Sequence, residues 1–232
     1  MGRDIRRILS ALTAFAALAT VIGPVGAQGT TSVSGRVSII ERPGEETEDL
    51  SNAVVFLEPV GAATRARLAA RNTDIALDKR QFSPRVRVVT EGSTIEFKNQ
   101  DPFSHNVFSK TNGGFDTGTY GRGKSKDQTF TTPGVYPLYC NVHPRMTAYV
   151  IALNTPFFTQ AGNDGRFTLD SVPPGLYKLH LWHDRTTEVV KELRVPAQGV
   201  NNLREELDAR GYKYVQHKNK LGQVYANAGA RY

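Results

Sequence analysis

Apolar residues in this chain come in short runs that alternate with polar ones, and each run ends at a turn. In Thr94–Lys98, Ile95 and Phe97 alternate with Glu96 and Lys98; Arg85–Val89 alternates Arg with Val; in Tyr177–His183, Tyr177, Leu179 and Leu181 share one face. A period of two buries one face of a strand and cannot cover one side of a helix. The 21 Gly and 12 Pro of the 232 residues supply the turns between such segments. An all-β chain follows, long enough for one large or two small domains with real cores.

Further strands are expected at Val33–Ile40, Ala53–Leu57, Asp74–Leu77, His105–Phe108, Gln128–Thr131, Val135–Cys140, Thr147–Leu153, Phe167–Leu169 and Val189–Val195. Pro137 cannot donate to a sheet ladder, which places its strand at an edge or a bulge. Asn163-Asp164-Gly165 has the composition of a hairpin turn. Residues 58–71 are an Ala/Arg-rich connector with room for one helical turn, and residues 209–232 form a polar tail without a strand pattern.

The N-terminus has the layout of an export signal over residues 1–27. Arg3, Arg6 and Arg7 precede an apolar run from Ile8 to Ile22, and Val25-Gly26-Ala27 offers small residues before a cut at Gln28. The alternative, an uncleaved anchor, needs a longer apolar run, of about 20 residues. A periplasmic or otherwise secreted protein is expected, with no membrane span after cleavage. Losing the signal takes three Arg and one Asp from 29 basic and 22 acidic residues and leaves a net charge of +5. That charge is dispersed: Glu41, Glu45, Glu46, Glu48 and Asp49 make an acidic loop, and Arg122, Lys124 and Lys126 a small basic one. Basic and aromatic residues do not interleave along one face, so no nucleic-acid partner is expected.

A single cysteine excludes a disulfide framework, and an idle thiol in an oxidising compartment is open to oxidation. Cys140 stands in Cys140-Asn-Val-His143-Pro-Arg-Met146, with His105 upstream. Taken singly, a cysteine in a strand is more often a small buried apolar residue, and a lone His or Met more often packing. The chain has only one Cys and two Met, however, and one of each flanks a His within seven residues. A thiolate, two imidazoles and a thioether suit a soft, redox-active copper ion, whereas zinc gains little from a thioether and prefers another Cys, His or carboxylate. Asn106 and Asn141 are placed to hold this loop from behind, and backbone N–H groups to point at the sulfur. His180 and His183 fall on opposite faces of their strand, which argues against a second metal site.

These residues resemble the cupredoxins. Residues 73–152 follow that family's order through Ile75–Leu77, Phe82-Ser83-Pro84, Val86–Val89, Glu91-Gly92, Ile95–Asn99, His105-Asn106-Val107 and Thr132-Pro133-Gly134-Val135-Tyr136. The Cys-x-x-His-x-x-Met loop is similar to that of amicyanin-type and plastocyanin-like proteins. The resemblance implies a Greek-key β-sandwich that binds one copper ion through His105, Cys140, His143 and Met146. It also implies an exposed apolar surface near His143, for which Pro102, Phe103, Pro144 and Arg145 are the candidates. A weaker resemblance, to carboxypeptidase-regulatory-like (transthyretin-like) β-sandwiches, runs through Asp164-Gly165-Arg-Phe167-Thr-Leu169 and Val172-Pro-Pro-Gly175-Leu-Tyr177. Its first strands match Ser34-Gly35-Arg36-Val37 and Asn52-Ala53-Val54-Val55, on the far side of the copper segment. A second, smaller sandwich built from residues 30–60 and 153–208, interrupted by 73–152, is therefore expected.

The expected function is a type 1 copper protein that carries single electrons between redox partners, such as a cytochrome or a copper or haem enzyme. No arrangement of catalytic side chains stands out, and no enzyme activity is expected. Two alternatives remain open: a periplasmic copper-binding or delivery protein, and an accessory interaction subunit of a larger assembly.

Overall fold

A computed structural model describes residues 29–47, 49–61 and 68–225, and they contain strands, turns and loops but no helix. The expected export signal lies outside these residues, as do Glu48, positions 62–67 of the connector and positions 226–232 of the tail. The strands are β1 (Thr31–Ile40), β2 (Val54–Pro59), β3 (Thr73–Asp78), β4 (Gln81–Ser83), β5 (Val86–Thr90), β6 (Ser93–Asn99), β7 (Phe108–Ser109) and β8 (Phe115–Asp116). They continue with β9 (Ser125–Phe130), β10 (Gly134–Tyr139), β11 (Thr147–Leu153), β12 (Phe158–Gln160), β13 (Arg166–Val172), β14 (Gly175–Trp182), β15 (Val189–Val195) and β16 (Val200–Asp208).

They form four sheets, ordered β4-β3-β6-β9, β5-β11-β10-β7-β8, β13-β1-β16 and β12-β2-β14-β15. The first two contribute to one core, in which Ile75, Leu77, Ile95, Phe97, Phe130, Leu138 and Val150 meet Cys140 and Met146. The other two contribute to a second core of Val33, Val37, Val55, Leu57, Phe167, Leu169, Tyr177, Leu179 and Leu181. β1 and β2 thus precede, and β12 to β16 follow, the nine strands around the first core.

Alternation explains most of this. Ser93, Ile95, Phe97 and Asn99 of β6 are all buried while the residues between them are half-exposed. Each sandwich also uses one Pro-Gly-x-Tyr turn. The Tyr136 hydroxyl donates to the Thr132 carbonyl at 2.7 Å, and the Tyr177 hydroxyl to that of Pro173 at 2.7 Å. A tyrosine bonded back to the chain in this way pins the entry of a strand at a sandwich corner.

β5 and β11 depart from the one-sided pattern. Val89, Ala148, Val150 and Ala152 face the first core, whereas Val86, Ile151 and Leu153 join Val54 and Trp182 in a third apolar cluster. The valine face of Arg85–Val89, expected to be the buried one, is thus covered by the sheet carrying β2 and β14, while the other face, with Val89 and Arg87, turns toward the first core and β3. Beside this seam the Arg85 guanidinium meets Asp184 at 2.6 Å.

Other expectations are corrected. The predicted strand His105–Phe108 is reduced to β7 and a single bridge between His105 and Tyr120. His105, Asn106 and Val107 are all buried in succession, which an alternating strand at a sheet surface cannot achieve. Asn163-Asp164-Gly165 is a turn but not a hairpin, since β12 pairs with β2 and β13 with β1. Gly165 is required there: its φ is 81°, and a Cβ would sit 2.1 Å from the Val37 carbonyl oxygen. β10 is not terminal in its sheet, yet β7 pairs with it only at Tyr139, so Pro137 faces a gap in the ladder. β16 has no counterpart among the expected strands; its charged sequence hides a parallel pairing with β1.

Two outcomes are expected in unfolding experiments. Replacing Trp182, 8% exposed in the third cluster, by Ala costs about 3 kcal/mol in urea denaturation and separates the unfolding of the two cores into distinct transitions. The second concerns His183, whose Nδ1 accepts the Arg185 N–H at 3.3 Å. Burial holds this imidazole below its ordinary value of 6.5, with the Arg185 and Arg85 charges acting in the same sense and Asp184 against them. The unfolded chain therefore binds the proton first, and stability falls as pH drops below about 6.5 until the folded form also protonates. His183→Gln flattens that slope in denaturation midpoints measured between neutral and acidic pH.

Candidate metal centre

β10 and β11 run antiparallel with Tyr139 opposite Thr147, and the residues between them close on themselves. The Cys140 N–H donates to the Met146 carbonyl at 3.3 Å, and the Met146 N–H to that of His143 at 3.0 Å. This tight loop brings Cys140, fully buried, and His143, half-buried, to the same end of the sandwich as His105. His105 is held from the facing side by reciprocal backbone bonds with Tyr120.

The donor atoms converge. Cys140 Sγ lies 3.6 Å from His105 Nδ1 and 3.6 Å from His143 Nδ1, and the two ring nitrogens are 3.0 Å apart. In a triangle with those sides the equidistant point is about 2 Å from each vertex, the length of a metal–imidazole bond. Among the described residues these three are the only group of His, Cys, Asp and Glu so arranged; His180 and His183 belong to none. Met146 is 1% exposed and packs in the same core as Cys140.

The protonation pattern fits a metal. His105 Nε2 donates to Asp101 Oδ2 at 2.7 Å, which leaves Nδ1 with its lone pair facing the sulfur. Burial lowers the His143 pKa to about 4, helped by the charges of His105 and Arg80 and opposed by Asp101, so this ring is neutral at neutral pH. Burial pushes the Cys140 thiol up, while the backbone N–H groups of Val142, Asn106 and His143 bond to the sulfur and favour the thiolate. One soft sulfur and two imidazole nitrogens, facing one another in a water-poor pocket, suit copper. Zinc would lack a fourth His, Cys or carboxylate among the described residues.

The surrounding shell is larger than the sequence suggested. Asn106 Oδ1 accepts the Asn141 N–H at 2.6 Å, and its Nδ2 donates to Asp116 at 3.0 Å. The Asn141 side chain faces the C-terminal tail, where it accepts the Lys220 N–H at 2.9 Å. That tail lies against the ligand loop. The Tyr225 hydroxyl donates to the Cys140 carbonyl at 2.8 Å, Lys220 Nζ meets Asp116 at 2.6 Å, and His217 stacks on Tyr139 at 4.6 Å. Nothing in the tail's composition signals this role.

Asp101 is a further support, and an acid four residues before a ligand-type His is its readable sign in the sequence. It is buried, and its carboxylate accepts the N–H groups of Lys79 at 2.8 Å and Arg80 at 2.9 Å besides the His105 ring. Burial alone would raise its pKa, but the Arg80 N–H, His105 and the Lys79 N–H outweigh it and hold the carboxyl ionised below the usual range. Asn99 completes the arrangement by accepting the Asp101 N–H at 3.0 Å.

Of the residues expected at the surface, Pro102, Phe103 and Arg145 are exposed, but Pro144 is buried. The tight loop turns Pro144 inward and leaves Val142, 48% exposed, outside. The Phe103 ring lies 5.7 Å from each of the His105 and His143 rings.

Comparison with known proteins agrees with this geometry. Residues 69–152 match the family of copper binding proteins, plastocyanin/azurin family. Residues 69–152 are thus similar to the cupredoxins, and copper is the cofactor that the family match and the donor set together specify. The match stops at residue 152 and assigns no family to the second sandwich.

Similar solved structures include a Cu-containing nitrite reductase from Thermus scotoductus SA-01, at 27% identity and a TM-score of 0.34 over 41% of this chain and 25% of that one. A purple cupredoxin from Nitrosopumilus maritimus is 24% identical, with a TM-score of 0.32 over 35% of this chain and 99% of that one. An oxidised amicyanin variant is 20% identical, with a TM-score of 0.34 over 35% and 81%. The chain thus matches a quarter of the nitrite reductase. No curated protein matches the chain.

Because Asp101 orients His105 and ties down the adjacent turn, Asp101→Ala is expected to weaken copper binding about 10- to 100-fold in a chelator competition. Asp101→Asn, which can still accept from His105 Nε2, recovers part of that loss.

Proposed function

We propose that this is an exported type 1 copper protein that carries single electrons between redox partners. In this reading His105, Cys140, His143 and Met146 would hold the copper, Met146 the most weakly, and the chain is a carrier rather than an enzyme. The observation that carries the reading is the triangle of one sulfur and two imidazole nitrogens with sides of 3.6, 3.6 and 3.0 Å. Copper held there would supply a one-electron couple. The chain's own contribution is to keep the donors in place. Asp101 fixes the His105 ring, three N–H groups support the Cys140 sulfur, and the loop is closed by its own hydrogen bonds. Donors held this way have little to reorganise when charge changes. Four protein ligands leave no open position for a substrate, in contrast to catalytic metal sites.

The half-buried His143 ring, beside exposed Phe103 and Val142, is the natural point of contact with a partner such as a cytochrome or a copper or haem enzyme. Export to the periplasm or beyond is supported by the basic and apolar pattern of residues 1–27. In the same reading residues 30–60 and 153–208 form one domain that 73–152 interrupts, supported by the pairing of β1 with β13 and β16 across the gap in sequence. In this reading that domain is a transthyretin-like sandwich, supported by the motif Asp164-Gly165-Arg-Phe167-Thr-Leu169.

Absorption and EPR spectra of the copper-loaded protein test the function. An intense visible sulfur-to-copper band is expected, absent in Cys140→Ser. Met146→Leu keeps the band and raises the reduction potential, because a donor that favours Cu(II) is lost. Copper-loaded protein without such a band, or without a reversible couple, would instead mark a store or delivery protein and overturn the carrier reading.

A further inference from the structure

The turn joining β3 to β4 carries Lys79 and Arg80, and both adopt left-handed backbone conformations, with φ of 51° and 56°. Two-residue turns of this kind normally use Asn-Gly, because a side chain is strained there. Two long cations occupy it here, and the carboxylate of Asp101 steadies the turn by accepting both of their N–H groups. The same carboxylate holds the ligand-type His105, so the cationic turn and the metal centre share one support.

Both side chains are exposed, and with exposed Arg145 they line a cleft of about 530 Å³ whose walls also include His143 and Met146. No acidic residue lines it, and Arg85, which also lines it, meets Asp184. The Arg80 guanidinium lies 4.9 Å over the Phe103 ring, which in turn touches both ligand-type imidazoles. Beside the cleft stand Phe103, 36% exposed, and Val142, 48% exposed. Apolar groups next to a charged rim are the anatomy of a protein interface, and one sign of charge around a cleft steers a partner of the other sign into it.

We propose that the redox partner docks on this cleft through an acidic face, its carboxylates meeting Lys79, Arg80 and Arg145 while its acceptor group lies over the His143 edge. The inference rests on the electron-carrier reading and adds the chemistry of the partner. A protein face is favoured over a small anion because the three cations are exposed and apolar side chains flank them, whereas a small-anion site is built from buried donors.

The test uses the reduced, copper-loaded full chain, oxidised in a stopped-flow instrument by anionic hexacyanoferrate(III) or cationic tris(phenanthroline)cobalt(III). Charge reversal in Lys79→Glu/Arg145→Glu is expected to slow the anionic reagent about tenfold and to speed the cationic one. Arg145→Glu alone, away from the strained turn, shifts both rates in the same directions by less. Hexaglutamate competes with hexacyanoferrate in the parent protein and not in the double variant, while inorganic phosphate at equal charge concentration does not compete. Rates unchanged by charge reversal, or phosphate competing as well as hexaglutamate, would overturn the proposal while leaving the carrier reading intact. A protein that exchanges electrons with neither reagent shows that the carrier reading itself fails, and the docking proposal falls with it.

Discussion

A buried carboxylate organises the centre of this protein. Asp101 is shielded from water, so its charge must be compensated within the fold. Its partners come from two separate elements: the His105 ring from its own loop, and two backbone N–H groups from the turn between β3 and β4. That compensation selects the tautomer of His105 and therefore aims Nδ1 at the Cys140 sulfur. It also holds Lys79 and Arg80 in a conformation that costs about 1–2 kcal/mol for each L-residue. The position of the donor triangle and the charge beside it thus share a cause.

The second organising feature is the apolar seam between the two cores. Val86, Ile151 and Leu153 use the outward faces of β5 and β11, which in a free-standing sandwich would meet solvent. Trp182 and Val54 cover them. The arrangement couples the sandwiches through buried area and through the Arg85–Asp184 pair. The donor atoms lie within the first core, so the second can support the centre without touching it. The tail adds another support, since Tyr225 and Lys220 bond to the ligand loop and to Asp116.

Local pattern was enough to read much of this. β6 and β14 followed from alternation, because a half-buried strand writes its two environments into successive residues. Cys140, His143 and Met146 stand out as candidates because one short loop carries scarce residue types together. His105 was reached through donor chemistry and resemblance, not through spacing. What escaped was of two kinds. β16, rich in Asn and Glu, gains its place from a parallel pairing with β1 that local composition does not encode. The backing of the centre by Asp101, Asp116 and the tail depends on residues far apart in sequence, whose types are ordinary.

By itself the sequence determined an all-β chain, a sulfur–imidazole donor set within one short loop, and two groups of strands on either side of it. Those features are local: a periodicity of two, a turn composition, a spacing within a few residues. Only the tertiary structure decided that Pro144 turns inward while Val142 faces out, that both faces of β5 are covered, and that a polar tail secures the ligand loop. It also decided that Lys79, Arg80 and Arg145 share a cleft beside His143. Each of these depends on which surfaces meet in space, and burial, pairing and charge balance are properties of that meeting rather than of any one segment.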